Sequence, residues 1–255
     1  MLLAVDIGNT NVTLGVFDGE DLRATWRIYT RINQMPDEYA VLLLNLLEQQ
    51  GLEAVDINQV ALSCVVPPLR STFTELFQRY FDTSPLVVGP GVKSGIRIRV
   101  DNPREVGSDR IANVAAAHNM YGQSAIIVAM GTATVFDTVS KDGDYLGGAV
   151  APGIGIAAEA LFTRTAALPR VEFSRPQHAI GTNIISAIQS GLIFGYSGLI
   201  EGVVTRIQQE LDEKALVVVT GGYSGIIAAE TPIIDVVNPD LTLIGLRHIY
   251  KINQT

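Results

Sequence analysis

The feature that most constrains this chain is an internal echo. Residues Val5-Asp6-Ile7-Gly8-Asn9-Thr10-Asn11-Val12 line up with Val128-Ala129-Met130-Gly131-Thr132-Ala133-Thr134-Val135, which aligns two glycines, a hydroxyl-bearing turn position nearby and the valines beyond them. Each copy opens a run of strand, glycine turn, strand, turn, strand. In the first copy the strands are Leu2 to Asp6, Val12 to Phe17 and Leu22 to Tyr29; in the second they lie in Ile126 to Val139, broken by the glycine turn, and in Tyr145 to Ala149. Short turns between consecutive strands make antiparallel meanders. A supersecondary unit written twice predicts two similar halves.

The elements after each meander also repeat. After the first come a helix from about Asp37 to Gln50, a buried strand Gln59 to Cys64, a helix from about Pro68 to Phe81 and a strand near Leu86-Val87-Val88. A helix from about Ser108 to Tyr121 leads into the second half. There a long helix from about Asn183 to Leu211, a strand Ala215 to Thr220, a helix after Gly221-Gly222, a short strand Ile233 to Val236 and a helix from Thr242 continue the same order. Helices alternating with strands after a meander give mixed sheets covered by helices. The expected fold is α/β, with two lobes, residues 1–115 and 116–255, meeting at a cleft. The long helix carries Ser186, Ala187, Ser190, Gly191, Gly195, Ser197, Gly198 and Gly202, small residues that let another helix approach closely; that face either packs within its own protomer or, as expected here, forms the homodimer contact.

Composition narrows the function. With 255 residues, 47% of them hydrophobic, the chain can bury a substantial core. A formal net charge of −8 gives no broad basic surface, so a nucleic-acid partner is not expected. No apolar run reaches the roughly 20 residues that span a bilayer, so membrane insertion is not expected. The start, Met1-Leu2-Leu3-Ala4-Val5-Asp6, lacks the basic region of a signal peptide, and the cytoplasm is the expected location. The single cysteine, Cys64, reads as a small core residue and Trp26 as a packing residue. His118, His178 and His248 stand in unrelated segments with no zinc spacing, and no Gly-x-Ser-x-Gly nucleophile turn occurs.

Four segments have the makings of a site. In Asp6-Ile7-Gly8-Asn9-Thr10 a carboxylate ends a buried strand and a glycine turn comes next. Such a turn is either an ordinary hairpin or a phosphate cradle whose carboxylate holds hydrated Mg²⁺. Gly131-Thr132-Ala133-Thr134 supplies a second small-residue hairpin. Gly107-Ser108-Asp109-Arg110 begins a helix: Asp109 is either a cap or first-turn acid, or a base that deprotonates a substrate hydroxyl beside an anion-holding Arg110. Gly221-Gly222-Tyr223-Ser224-Gly225, between strand and helix, serves packing or receives an adenosine.

The ordered pieces Asp6 to Asn11, Trp26-Arg27, Asp37-Glu38-Tyr39, Ser63 to Pro68, Asp101-Asn102-Pro103, Gly107 to Ile111, Gly131 to Thr134, Gly147 to Gly153, Thr165 to Pro169, Gln189-Ser190-Gly191, Thr220-Gly221-Gly222 and Leu241 to Leu246 resemble type III pantothenate kinase over nearly the whole chain. The resemblance implies the duplicated actin-like (ribonuclease H-like) ATPase fold, a homodimer and transfer of the ATP γ-phosphate to the primary hydroxyl of pantothenate, the first step toward coenzyme A. It also implies that Asp6, Ile7, Gly8, Asn9, Thr10, Asn11, Val12 and Thr13, with Gly131, Thr132, Gly221 and Gly222, receive ATP. By the same resemblance Gly107, Ser108, Asp109 and Arg110 receive pantothenate, Asp109 is the catalytic base and Asp6 holds Mg²⁺ through water.

The chain departs from that pattern in three places. Ala129 stands where the family has an aspartate that helps bind an activating monovalent cation, potassium or ammonium, and an alanine cannot ligate one. The repeat places Ala129 opposite Asp6 independently. Val100 and Ile184 replace a tyrosine and a threonine that reach substrate in the family. These changes leave room for a weakened homologue with a regulatory or binding role, or for a kinase acting on another hydroxylated acid.

Overall fold

Strands β1 (Leu2–Ile7), β2 (Asn11–Asp18) and β3 (Asp21–Tyr29) form the first antiparallel meander in the computed structural model, which describes residues 1–211 and 213–254. β4 (Gln59–Cys64) joins β1 in parallel and β5 (Leu86–Val87) joins β4, giving the order β3-β2-β1-β4-β5. One face of β1 and β4, including Leu3, Val5, Ile7, Val60 and Leu62, packs in a core with helices α1 (Pro36–Glu48) and α2 (Pro67–Phe81). Both helices begin on proline, whose fixed φ and missing N–H suit a first turn. α1 buries Tyr39, Ala40, Leu43 and Leu47, one stripe at helical spacing. Tyr39 meets Phe73 of α2 with ring centroids 4.7 Å apart, and Phe77 and Phe81 extend the aromatic row. Trp26 packs against the same core, as expected.

The second sheet repeats the plan. β7 (Ala125–Met130), β8 (Ala133–Val139) and β9 (Asp144–Pro152) form the meander; β10 (Leu216–Gly221) runs parallel to β7 and β11 (Val236–Val237) parallel to β10. A two-residue strand, β6 (Arg97–Ile98), adds an edge, so the order is β11-β10-β7-β8-β9-β6. The predicted duplication is therefore real, with one correction to its alignment. Ile7 pairs with Val12 but Met130 pairs with Thr134, so the second turn is one residue shorter and Val12 corresponds to Thr134, not Val135. The strand expected over Ile233 to Val236 is also displaced: pairing to β10 starts only at Val236, after the Asp235 side chain has accepted the Val217 amide.

Helix α3 (Ser108–Tyr121) leads into β7, α4 (Ile154–Arg164) comes after β9, α5 (Ile184–Glu210) is the long helix, α6 (Ser224–Ala228) comes after β10, and α7 (Leu241–Ile252) is last. The sequence pattern did not reveal α4. Contacts divide the chain into two units. Met1–Arg97, Asp101–Asn119 and the chain from Leu241 on form one; Ile98–Val100 and Met120–Asp240 form the other. Sequence order places α7 in the second half, but its buried Leu241, Leu243, Leu246 and Ile249 belong to the first unit, where α7 packs on β1, β2 and β4.

Among the described residues, one helix, α5, is long and apolar enough to cross a membrane by length and composition. Its Ile188, Leu192, Ile193, Tyr196, Ile200 and Val204 lie in the core of the second unit with Ile126, Val128, Val217 and Val219.

Candidate active site

In the first unit, β1 and β4 run parallel with Asp6 directly opposite Ser63. Opposed residues of neighbouring strands point to the same face. On that face Ser63, fully buried, lies 2.9 Å, Oγ to Oγ, from Ser108, the first residue of α3. The Cys64 backbone N–H donates to the same Ser108 oxygen over 3.0 Å. Ser63 also hydrogen-bonds to the Asp6 carboxylate. Gly107 accepts the Ile111 amide in the first turn of α3, and Asp109 lies in that turn, close enough to Asp6 for the two negative charges to repel. The predicted Asp6, Gly107, Ser108, Asp109 and Arg110 thus come together.

Burial raises the Asp6 carboxyl from its ordinary 3.8 to about 7; the charge of Asp109 adds to this and the Ser63 hydrogen bond opposes it. Burial also raises Asp109, against the backbone N–H groups of Arg110 and Asp109 and the Arg110 charge. Asp6 Oδ1 is shut from solvent and has no hydrogen-bond partner. Two facing carboxylates, one with an unpartnered buried oxygen, fit a divalent cation and its water better than they fit each other. Among the described residues no group of three or more His, Cys, Asp or Glu could hold a metal by itself.

The glycine turn beyond Asp6 is braced from β3. Gly8 N–H donates to Asn11 O over 3.0 Å, the Thr30 hydroxyl donates to Gly8 O over 2.6 Å, and Thr30 N–H donates to Thr10 O over 3.0 Å. With these carbonyls engaged, exposed Asn9 and Thr10 sit at the tip of a fixed loop.

The Asp6 shift makes stability depend on pH. Its folded pKa lies above the unfolded one, so between about pH 4 and pH 7 the folded state keeps a proton that the unfolded state has lost. Stability of the metal-free protein therefore falls as pH rises through that window. Asp6→Asn is expected to be the more stable protein at pH 8, by at most roughly 4 kcal/mol, with the difference gone below about pH 4. Urea unfolding at the two pH values in the presence of a chelator checks this; equal differences at both would show that the Asp6 charge is not the cause.

In the second unit Ala129 occupies the place of Asp6, since Ala129 faces Thr220 as Asp6 faces Ser63. The turn after it is held by Gly131 N–H donating to Ala133 O and by Gly153 N–H donating to Thr132 O, both over 3.0 Å. Gly221, at the end of β10, has φ +99°, and a side chain there would collide with Met130 O. That position lets the chain pass tightly beside β7 before Gly222 and α6, where Ser224 Oγ donates to Gly221 O over 2.7 Å. Gly131, Thr132, Gly221 and Gly222 thus gather at the ends of β7 and β10. Val100 comes after the edge strand β6, and half-exposed Ile184 opens α5 after its Asn183 cap, so neither belongs to this strand-end group.

The sequence family described as type III pantothenate kinase matches residues 2–206. The type III pantothenate kinase of Dehalococcoides mccartyi strain CBDB1 is 55% identical over 253 residues, 99% of this chain and 96% of that protein. The chain belongs to the type III pantothenate kinase family. The enzyme of that name from Moorella thermoacetica is 50% identical over 99% of this chain and 100% of its own length. Among solved structures, an inorganic polyphosphate/ATP-glucomannokinase from Arthrobacter sp. strain KM matches 98% of each chain with a TM-score of 0.51 at 14% identity, a likeness of fold alone. The repeated meander-plus-parallel-strand sheet is that of the actin-like ATPases, as the sequence implied. The type III pantothenate kinase match runs from β1 into α5 and so includes both glycine turns and the start of α3. Sequence reasoning passed over Ser63 and Thr220 as site residues. The signal was a lone hydroxyl in each apolar strand, Ala61-Leu62-Ser63 and Val218-Val219-Thr220, at the same register.

Proposed function

We propose that this protein transfers the γ-phosphate of ATP to the primary hydroxyl of pantothenate, opening coenzyme A synthesis. The observation that carries the reading is the pairing of Asp6 and Asp109 on one face of the first unit, both with raised pKa, in a chain of this family. Asp109, seated by the start of α3, accepts the hydroxyl proton as that oxygen bonds to the γ-phosphorus and ADP leaves. A carboxyl raised toward neutrality is better matched to that transfer than an ordinary one. Arg110 and the Gly107–Ser108 segment hold pantothenate, whose carboxylate suits the guanidinium. The turn from Asp6 to Thr13, with Gly131 and Thr132, receives the phosphates, and Gly221-Gly222 receives the adenosine. Asp6 would hold Mg²⁺ through water, and the ion would supply charge neutralisation on the phosphates.

Ala129 offers only a methyl group, so the residues present do not fit a monovalent cation at that position, and turnover is expected to be indifferent to it. Homodimerisation is read from α5. Ala187, Gly191, Gly195 and Gly198 are exposed along one stripe, with open space where side chains would stand at the three glycines. Ser190 and Ser197 turn inward, donating to Ala179 O and Glu230 O, and are not part of that stripe. The reading places the protein in the cytoplasm, with no nucleic-acid or membrane partner, in keeping with its net charge of −8.

ADP release by the purified protein with ATP and Mg²⁺ tests the function. Release that requires pantothenate and is equal in sodium, potassium and ammonium salts is the expected result. Release without pantothenate dependence would overturn the substrate assignment, and a strong potassium requirement would overturn the reading of Ala129.

A further inference from the structure

Between the two carboxylates lies a short hydroxyl chain that the proposed chemistry does not use directly. Ser108 Oγ accepts the Cys64 backbone N–H over 3.0 Å and lies 2.9 Å from Ser63 Oγ. Ser63 in turn bonds to the Asp6 carboxylate. Each hydroxyl has one proton to give and an ionised Asp6 can only accept, so with Asp6 ionised these contacts set the direction of every bond. The Ser63 proton goes to the carboxylate, the Ser108 proton goes to Ser63, and the Ser108 lone pair takes the Cys64 amide. The chain points from the backbone of β4 toward Asp6. It ends one residue before Asp109 and ties the ends of β1 and β4 to the first turn of α3.

We infer that Ser63 is a positioning residue for phosphoryl transfer: buried between β1 and α3, its hydroxyl fixes one oxygen of Asp6 and the N-terminus of α3 together, so that Asp6 Oδ1 and Asp109 keep a set relation. This rests on the reading of Asp6 and Asp109 given above. The geometry supports it in three ways. Ser63 is fully buried, so water does not compete for its bonds. It stands directly across from Asp6 in a parallel ladder, where backbone hydrogen bonds prevent drift. Oδ1 is the carboxylate oxygen left without a partner, and rotation of an unrestrained carboxylate would exchange it with its neighbour. Ser63 itself touches neither substrate nor metal; it acts through Asp6 and Ser108.

The second unit suggests the conservative variant. Thr220 holds the register position of Ser63 and is likewise buried, so a threonine fits at such a strand end. Ser63→Ala is expected to lower kcat about 10- to 100-fold, the loss of one hydrogen bond to a charged group. The KM values for ATP and pantothenate should change less than about threefold, while the Mg²⁺ concentration giving half-maximal rate rises. Ser63→Thr should restore most of kcat.

Mn²⁺ binding in the presence of ADP, followed by electron paramagnetic resonance, provides a readout that needs no acceptor substrate. Weaker Mn²⁺ binding in Ser63→Ala, recovered in Ser63→Thr, is expected. Parental kcat together with parental Mn²⁺ affinity in Ser63→Ala would overturn the inference. So would a loss that tracks unfolding by circular dichroism and is not recovered by threonine. If the parent does not turn over pantothenate, the proposed function fails by itself, and the Mn²⁺ measurement still decides the role of Ser63.

Discussion

Asp109→Asn is expected to cut kcat by about 10²- to 10⁴-fold, the range a positioned general base contributes, with the fold and nucleotide affinity preserved. The substitution keeps shape and removes the group proposed to take the hydroxyl proton. It also removes the negative charge that helps raise Asp6, so the Asp6 carboxyl should titrate lower in the variant. A single exchange thus predicts two effects: slower chemistry, and an Asp6 carboxyl that is more fully ionised at neutral pH. In the parent, burial of Asp109 places the acid limb of the pH–rate profile above 3.8, the ordinary value for such a carboxyl. Steady-state kinetics across pH checks both. A variant that keeps more than about a tenth of parental kcat would show that Asp109 only caps α3, the alternative its position also allows.

The second large effect concerns stability. Gly245→Val is expected to destabilise the protein by about 3 kcal/mol or more, because the added side chain has no room. Gly245 sits on the inner face of α7, and a Cβ there would collide with the backbone of Ala112 in α3, its carbonyl oxygen above all. The neighbour is main chain of a buried helix and cannot rotate aside as a side chain would. Thr242, one turn earlier, donates its hydroxyl to Asn113 Oδ1 over 2.7 Å, so the same junction is pinned by a hydrogen bond. For a chain of this length the loss corresponds to roughly 6 to 12 °C in Tm. Thermal unfolding reads it directly. A Tm within about 2 °C of the parent would mean that α7 can stand off from α3, contrary to the contact between Gly245 and Ala112.

Much of the fold was legible in the sequence, for reasons that differ by element. The two meanders were readable because period-two alternation and short polar turns are local signals, and the repeat presents them twice. The first two helices were readable to within a residue at their starts, expected at Asp37 and Pro68 and found at Pro36 and Pro67, because proline in a first turn is a local signal too. The length of the second turn was not: a hairpin register depends on which residues pair, and Val12 can be aligned with either Thr134 or Val135 until the strands are side by side. The place of α7 was hidden because its apolar stripe shows that it buries a face but not which sheet receives it. Within the site, Asp6 and Asp109 were found through family resemblance and the glycine turn beside them. Ser63 was missed because a serine in an apolar strand has no meaning until the facing strand and α3 supply its partners. Ala129 was read correctly as the counterpart of Asp6, and its register confirms that equivalence.

The return of α7 to the first unit has a consequence for how the protein is made. On a ribosome, β1 to β5 emerge before the second unit, yet the helix that lies over β1, β2 and β4 is made after it. Every nascent chain therefore passes through a stage in which the second unit can close while the first still lacks part of its cover. The unit bearing Asp6 and Asp109 is begun before the second unit and completed after it, so both carboxylates reach their final setting only once the second unit has been made.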